Sequence, residues 1–331
     1  MNTNFWSGRR VLVTGASGFI GGHLVEHLVR AGAAVRAFVR YSTIGPDDRL
    51  AFLPTDVREA IEPVVGDITD AETVRNSAED IDTIFHLAAL IAIPYSYRAP
   101  ESYIKVNVNG TLNVLTAARD RGARRVVHLS TSETYGTAQY VPMDERHPIV
   151  TQSPYAASKA GADLLAHSFF LSFGLPVVIA RPFNTFGPRQ SRRAVIPTIV
   201  SQALVDDEVA LGSSGPTRDF NYVSDTVSGL SRLGESERVV GETVNIGSGR
   251  EVSVADVVSM VGSILGKQLS IRIEDQRLRP EASEVKRLLC SNEKARTLMG
   301  WEPRVTLEQG LARMVEWFRE HQPRVATRYE I

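Results

Sequence analysis

The feature that most constrains the fold is a short apolar strand followed by three closely spaced glycines and a helix. Residues 10–14 read RVLVT, and residues 19–31 carry apolar side chains at helical spacing. Glycines permit a tight turn, and the amino terminus of a helix offers N–H groups and a positive dipole end to a pyrophosphate. The spacing differs by one residue from G-x-G-x-x-G, so a glycine turn without a ligand stays open. We predict that a dinucleotide contacts Gly15, Ser17, Gly18, Phe19, Ile20 and Gly21.

Short apolar segments alternate with helical segments through the first half of the chain. The predicted strands cover residues 35–39, 64–65, 83–87, 126–129 and 177–180, and the predicted helices include residues 103–121 and 154–173. Continuous apolar strands separated by helices indicate a parallel sheet covered on both faces. The predicted fold class is therefore α/β, with a Rossmann-type doubly wound parallel sheet.

The pattern loosens after Arg181, which predicts a second, smaller α/β lobe that binds substrate. Pro, Gly and Arg become frequent over residues 181–220, and short helices are predicted at 254–265 and 307–320. The chain is expected to return to the sheet near 223–229 and 243–246. The predicted dinucleotide-binding domain comprises residues 1–181 plus about 220–247, and the predicted substrate lobe comprises about 182–219 plus 248–331.

Charge and composition limit the classes of partner and cofactor that are expected for this chain. The 331 residues include 37 basic and 38 acidic side chains, for a net charge of -1, which argues against a general binder of nucleic acid or membrane surfaces. No apolar run approaches the ~18 residues of a membrane span. The single cysteine, Cys290, excludes an internal disulfide framework, and neither His nor Cys shows metal-site spacing. We expect a cytoplasmic protein with no metal.

Tyr155 and Lys159 stand four residues apart, so a helix brings both side chains to one face. An ammonium group beside a phenol favours the phenolate, and we therefore expect a lowered Tyr155 pKa and a base for a hydroxyl proton. Glu133, in Thr131-Ser132-Glu133, adds a carboxylate that simple alcohol oxidation does not need. It indicates chemistry at a second carbon, with a strand-end salt bridge as the structural alternative.

The end of the second predicted strand bears on which dinucleotide is bound. An acid there normally holds the ribose 2′-hydroxyl of NAD, whereas Arg suits the 2′-phosphate of NADP. This strand ends in Arg40-Tyr41-Ser42, which favours NADP over NAD unless Arg40 is merely solvated. Asp67 is placed to reach the adenine amino group, or else to cap the following helix.

Together these segments resemble the extended short-chain dehydrogenase/reductase family that acts on nucleotide-activated sugars. The resemblance covers nearly the whole chain and includes His86-Leu87-Ala88-Ala89, Ser130 to Gly136 and Arg181-Pro182-Phe183-Asn184. It implies a tightly bound nicotinamide cofactor, with Lys159 on the nicotinamide ribose and Tyr155 on a sugar hydroxyl. It also implies cofactor contacts from Ile68, Leu87, Ala88, Ala89, Asn107, Ser130 and Pro182, and a homodimer through a four-helix contact of residues 109–121 and 158–173.

Within this family Glu133 favours a 4,6-dehydration. Oxidation at the sugar C4 acidifies C5–H, Glu133 removes that proton, water leaves from C6, and the hydride returns there. Thr131-Ser132-Glu133 resembles the segment of GDP-mannose 4,6-dehydratases, whereas dTDP-glucose dehydratases carry Thr-Asp-Glu, so that Ser132 is expected to position water or relay a proton. Decarboxylases that make UDP-xylose share this tripeptide, and 4-epimerases share the Tyr/Lys pair. A dinucleotide-binding protein without activity is a further alternative, although such relics usually lack Tyr or Lys.

The carboxyl-terminal region favours dehydration of a GDP-linked sugar. Arg279-Pro280-Glu281, Ser283-Glu284-Val285 and residues 292–301 are similar to GDP-mannose dehydratases, and RLRPEASEVKRLLCSNEKA is more similar still to legionaminic-acid-pathway dehydratases that act on GDP-N-acetylglucosamine. Arginine pairs with phosphate oxygens through two hydrogen bonds, although loop arginines are often solvated. We expect the nucleotide-sugar diphosphate to contact Asn184, Arg189, Arg193, Arg218 and Arg279.

Overall fold

The computed structural model describes residues 5–41 and 49–321. The strands are β1 (Arg10–Thr14), β2 (Ala34–Val39), β3 (Ile61–Val65), β4 (Thr83–His86), β5 (Arg125–Leu129), β6 (Val177–Pro182), β7 (Asn184–Phe186), β8 (Glu208–Leu211), β9 (Thr217–Tyr222), β10 (Thr243–Ile246), β11 (Glu251–Ser253) and β12 (Ser270–Ile273).

The helices are α1 (Phe19–Arg30), α2 (Thr55–Glu59), α3 (Ala71–Ser77), α4 (Ile93–Arg98), α5 (Pro100–Tyr103), α6 (Gly110–Asp120), α7 (Pro154–Phe173), α8 (Val195–Ala203), α9 (Val223–Glu235), α10 (Val254–Leu265), α11 (Glu293–Met299) and α12 (Leu307–Glu320). A π-helical segment, Ile104–Asn109, joins α5 to α6.

Seven strands form one parallel sheet in the order β3-β2-β1-β4-β5-β6-β10. Every residue of β4 and β6 is buried, as the continuous apolar strands predicted. The direction of winding reverses between β1 and β4, and in such sheets a ligand binds outside the carboxyl ends of the strands at that point. The predicted α/β doubly wound fold is confirmed.

The second half of the chain adds two small sheets. Strands β11, β9 and β7 form one, and β12 pairs with β8 in the other. Helices α8, α10 and α12 pack beside them. Strand β7 directly follows β6, so the smaller lobe begins at the carboxyl edge of the large sheet. The domain boundaries stay a prediction.

Two elements differ from the sequence-based expectation. Residues 223–229, expected near the sheet, begin helix α9, which packs on α1. The apolar residues at helical spacing explain this, because Val223, Val227, Leu230 and Leu233 are all buried. The helix expected over 103–121 contains the π-helical segment, which a hydrophobic pattern cannot distinguish from α-helix.

Candidate active site

The glycine turn lies where β1 meets β4 at the reversal point of the sheet. Gly15 has a φ of 72°, and a Cβ there would lie 2.8 Å from the Ala88 nitrogen. A Cβ on Gly21 would lie 2.1 Å from the Gly15 carbonyl oxygen. A larger residue at position 15 would therefore push the turn away from the segment after β4, and one at position 21 would push α1 away from the turn.

The first turn of α1 fits an anionic group. Gly18 is the N-cap and supplies no side-chain hydrogen bond, and no acidic residue lies in that turn. The N–H groups at the start of a helix lack partners within the helix and carry the positive end of its dipole. Ser17, Phe19 and Ile20 lie at this same amino end of α1, so the predicted cofactor residues are close together in the structure.

Residues 87–89 face this turn from the end of β4. The Thr14 hydroxyl accepts hydrogen bonds from the backbone nitrogens of Leu87 and Ala88, each at 3.2 Å. Leu87, Ala88 and Ala89 are half-buried. His86 is buried between the Thr14 and Thr111 hydroxyls at 2.8 and 3.0 Å, as a packed strand-end residue.

Asp67 and Arg40 lie close together at the ends of β3 and β2. Thr69 donates two hydrogen bonds to the Asp67 carboxylate, from its hydroxyl at 2.7 Å and its nitrogen at 2.8 Å, and these lower the Asp67 pKa, with a smaller lowering by Arg40. The N-cap of α3 is Asp70 and not Asp67. Ile68 is buried beneath Gly110, and Arg40 is exposed. Ser42, of the same sequence segment, lies outside the described residues.

Helix α7 carries both Tyr155 and Lys159 in buried positions. Ser153 caps this helix by accepting from the Ala156 nitrogen. The Lys159 Nζ donates to the Leu129 carbonyl at 2.7 Å, and burial lowers the Lys159 pKa to about 8.

The expected lowering of the Tyr155 pKa is wrong for the protein alone. Burial raises the pKa of this phenol, the hydrogen bond with Thr131 lowers it in part, and the nearby Glu133 charge raises it further. The Lys159 ammonium donates its hydrogen bond to a backbone carbonyl. Any lowering of the Tyr155 pKa by this charge is smaller than the raising by burial.

After β5, Thr131 caps a short 3₁₀ turn, Ser132–Tyr135, that contains Ser132 and Glu133. The Thr131 hydroxyl caps the turn by accepting from the Glu133 nitrogen at 3.2 Å. Ser132 is buried, and the Glu133 side chain is half-buried within the electrostatic influence of Tyr155 and Arg218. The three residues and the Tyr/Lys pair therefore converge.

Asn107 and Ser130 form hydrogen bonds with helix α7, which carries Tyr155 and Lys159. Asn107 accepts from the Leu90 nitrogen at 2.8 Å and donates to the Leu90 carbonyl and the Ser158 hydroxyl. This clamp sits in the π-helical segment and joins the residues after β4 to helix α7. Ser130 donates to Asp163 at 2.7 Å, and Pro182 is buried in register with Ile246.

Two of the predicted substrate arginines meet at one glutamate. Arg218 is buried and donates to Glu284 at 3.0 Å, and Arg279 Nη1 lies 3.8 Å from the same oxygen. A cavity of about 530 Å³ lies beside them, lined by Ser213, Pro216, Leu278, Arg279, Glu281, Glu284 and Lys286. Arg279 Nη1 is buried without a hydrogen-bond partner, which suits an anionic ligand.

The other predicted substrate residues lie elsewhere around the lobe. Arg189 has a φ of 66° and pairs with Glu26 of α1 at 2.9 Å. Arg193 is exposed on the segment before α8. Asn184 is half-buried at the start of β7, and its Oδ1 is a buried acceptor without a hydrogen-bond partner.

Three residues at the site were missed by sequence reasoning. Glu284 bridges the arginines, Asp163 holds Ser130, and the Tyr103 ring meets Tyr155 edge-on at 6.2 Å between centroids. Asp163 stands four residues after Lys159, and that helical spacing could have identified it. The other two depend on contacts between distant segments.

Across residues 5–41 and 49–321 there is no cluster of His, Cys, Asp and Glu suited to a metal. Over the same ranges no helix has the length and apolar character needed to cross a membrane.

Several relatives are similar to this chain over most of its length. A UDP-glucose 4-epimerase of Mycolicibacterium smegmatis is 33% identical over 321 residues, covering 94% of this chain and 98% of that protein. A dTDP-glucose 4,6-dehydratase of Streptomyces antibioticus is 32% identical, with 94% and 92% covered. A UDP-glucuronic acid decarboxylase 1 of Xenopus tropicalis is 31% identical, with 95% and 74% covered.

A solved structure and a family model indicate the same family as these relatives. The dTDP-glucose 4,6-dehydratase of Streptomyces venezuelae, solved with NAD bound, superposes with a TM-score of 0.85 at 31% identity, covering 94% of this chain and 97% of that one. The family model described as GDP-mannose 4,6 dehydratase matches residues 12–314. The chain therefore belongs to the extended short-chain dehydrogenase/reductase family, among the NAD-dependent nucleotide-sugar dehydratases and epimerases.

Proposed function

We propose that this protein is a nucleotide-sugar 4,6-dehydratase that converts a GDP-linked hexose, of the GDP-N-acetylglucosamine type, to its 4-keto-6-deoxy product. The observation that carries the proposal is the half-buried Glu133 carboxylate, which lies two residues after Thr131 and within electrostatic range of the buried Tyr155. Oxidation of an alcohol needs Tyr155 and Lys159. A carboxylate in addition is what removal of a C–H proton next to a ketone requires.

Each side chain then has one task. Tyr155 takes the proton of the sugar C4 hydroxyl, and Thr131 hydrogen-bonds the phenol and favours its ionised form. When bound, the nicotinamide would supply a reversible hydride acceptor and a positive charge. Glu133 removes the C5 proton once C4 is a ketone. Ser132 positions the departing water at C6 or relays a proton to it.

The diphosphate of the substrate is proposed to bind Arg218 and Arg279. Their shared partner Glu284 balances only one of their two positive charges in the protein alone, and a diphosphate would replace that carboxylate. Asn184 is proposed to reach the diphosphate or the sugar through its buried, unpartnered oxygen. Arg189, whose ion pair is with Glu26, and Arg193 are weaker candidates for the same role.

The preference for NADP over NAD is a separate proposal that rests on Arg40 at the end of β2. Solved relatives contain NAD, and an exposed arginine can be solvated instead. The test is the ratio of the two dissociation constants before and after R40A. A preference for NADP that R40A abolishes supports the proposal, and tighter NAD binding in the parent protein overturns it.

Decarboxylation is the second candidate, because a UDP-glucuronic acid decarboxylase is 31% identical to this chain over 95% of its length. A panel of GDP-, UDP- and dTDP-sugars, including UDP-glucuronate, separates the reactions by product mass. We expect loss of one water from a GDP-sugar. Loss of carbon dioxide would identify a decarboxylase, and an unchanged mass with an altered C4 configuration would identify an epimerase.

A further inference from the structure

A second buried carboxylate, Asp163, lies one helical turn beyond Lys159, and the proposed reaction gives it no task. Its Oδ2 accepts from the Ser130 hydroxyl at 2.7 Å and from Arg181 at 2.8 and 3.2 Å. Its Oδ1 lies 3.3 Å from His128 Nε2. One carboxylate thus ties residues at the ends of β5 and β6 to the helix that carries Tyr155 and Lys159.

Lys159 is surrounded by groups from three strands and its own helix. His86 of β4 and His128 of β5 face it, and burial lowers the pKa of both, which keeps both imidazoles neutral. The carbonyl of Leu129 accepts from its Nζ. Asp163 on α7 is the charge that raises the Lys159 pKa, while Arg181 of β6 is the second cation at that carboxylate.

We propose that Asp163 is a positioning residue that keeps Lys159 protonated at working pH and holds Ser130, and so the turn containing Glu133, against helix α7. The catalytic consequence rests on the proposed function, whereas the effect on Lys159 does not. Ser130 immediately precedes Thr131, so its hydrogen bond fixes the start of that turn.

Burial and the Asp163 charge shift the Lys159 pKa in opposite directions, so loss of the Asp163 charge would change the protonation of Lys159. Burial lowers the Lys159 pKa to about 8, so the ammonium is close to losing its proton in ordinary buffers. A lysine is charged below its pKa, and an opposite charge nearby raises that pKa by about 1–3 units. Without the Asp163 charge, Lys159 would become neutral at lower pH.

The direct test is a pH titration of the lysine ε-carbons by NMR in the protein without cofactor. The chain has five lysines, and K159R assigns the signal of interest. We expect D163N to lower the midpoint of Lys159 by at least about one pH unit. R181Q is the matched control, because it breaks the same ion pair but keeps the Asp163 charge, and we expect no lowering.

An unchanged midpoint in D163N, or an equal lowering in R181Q, would overturn the proposal. If D163N does not fold, because it leaves the buried Arg181 unpaired, D163N/R181Q removes both charges. Comparison of that double variant with R181Q then isolates the carboxylate. A midpoint lower in the double variant supports the role, and equal midpoints refute it.

Turnover provides the second readout. For D163N, the fall in kcat at alkaline pH should move to lower pH while KM stays the same, and R181Q should not show this shift. A uniform loss at all pH values would assign Asp163 a structural role only. Because the NMR titration needs no substrate, a parent protein that fails to dehydrate any sugar refutes the proposed function and leaves the Lys159 result standing.

Discussion

At the scale of single residues, the central assignment is that Glu133 is needed for loss of water from C6 but not for oxidation at C4. In E133Q the amide cannot accept the C5 proton, so dehydration should fall by about 10²–10⁴-fold. Oxidation at C4 needs Tyr155 and Lys159 only, and reduced cofactor should therefore accumulate. Absorbance of the reduced nicotinamide and product mass, followed in one reaction, measure both effects.

The control for this variant is E316Q, which makes the same change at an exposed position of α12. It should retain parent activity. Dehydration at the parent rate in E133Q would remove Glu133 from the mechanism.

Residue type and spacing were enough to predict Tyr155, Lys159 and Glu133 as site candidates, because a helix and a strand-end turn present them locally. The same reasoning misjudged the ionisation of Tyr155. Burial dominates that pKa, and burial is a property of the assembled fold rather than of the i, i+4 pair. Glu284 was missed for a related reason, since its contact with Arg218 joins segments 66 residues apart in sequence.

At the scale of elements, the glycine turn and helix α1 provide a matched pair of variants. A Cβ on Gly21 would lie 2.1 Å from the Gly15 carbonyl oxygen, whereas one on Gly22 would lie 3.7 Å from the Ala16 oxygen. G21A should therefore displace the turn and weaken binding of NAD and NADP by at least about 10-fold, since N–H groups bind phosphate only when correctly placed. Isothermal titration with both dinucleotides measures this.

G22A is the control on the same helix. It should keep cofactor affinity and raise helix stability by up to ~1 kcal/mol, because alanine favours helix over glycine. Equal cofactor affinity in G21A and the parent protein would contradict the assignment of this turn.

Most elements follow from pattern, and the exceptions have physical causes. Helix α7 has the bounds that were predicted, and the structure shows a serine N-cap and a glycine in the left-handed conformation at its ends. The π-helical segment was not predicted, since it arises where the Asn107 side chain clamps the Leu90 backbone. The start of α9 was misread because the helix begins at Val223 directly after the last residue of β9, Tyr222, with no loop to mark the change.

At the scale of the whole molecule, we propose that two copies pair through α6 and α7. Leu164 and Leu171 are 73% and 68% exposed, stand two helical turns apart, and Leu112 of α6 is exposed as well. Large apolar side chains on one face of a monomer favour an interaction surface. Charging that face with L164E/L171E should convert a dimer to a monomer in sedimentation velocity at micromolar concentration.

V205E, at an exposed apolar residue outside these two helices, is the matched control and should remain dimeric. A monomeric parent protein would refute the proposed pairing.

The most direct test of the account as a whole is the mass of the product formed by the parent protein from GDP-N-acetylglucosamine in heavy water. Proton removal by Glu133 exchanges C5–H with solvent while water leaves from C6. We predict that the product has lost one water relative to the substrate. We also predict that this product carries one solvent deuterium at C5. A product of unchanged mass apart from label, or a product that has lost water without deuterium at C5, would contradict the proposed 4,6-dehydration.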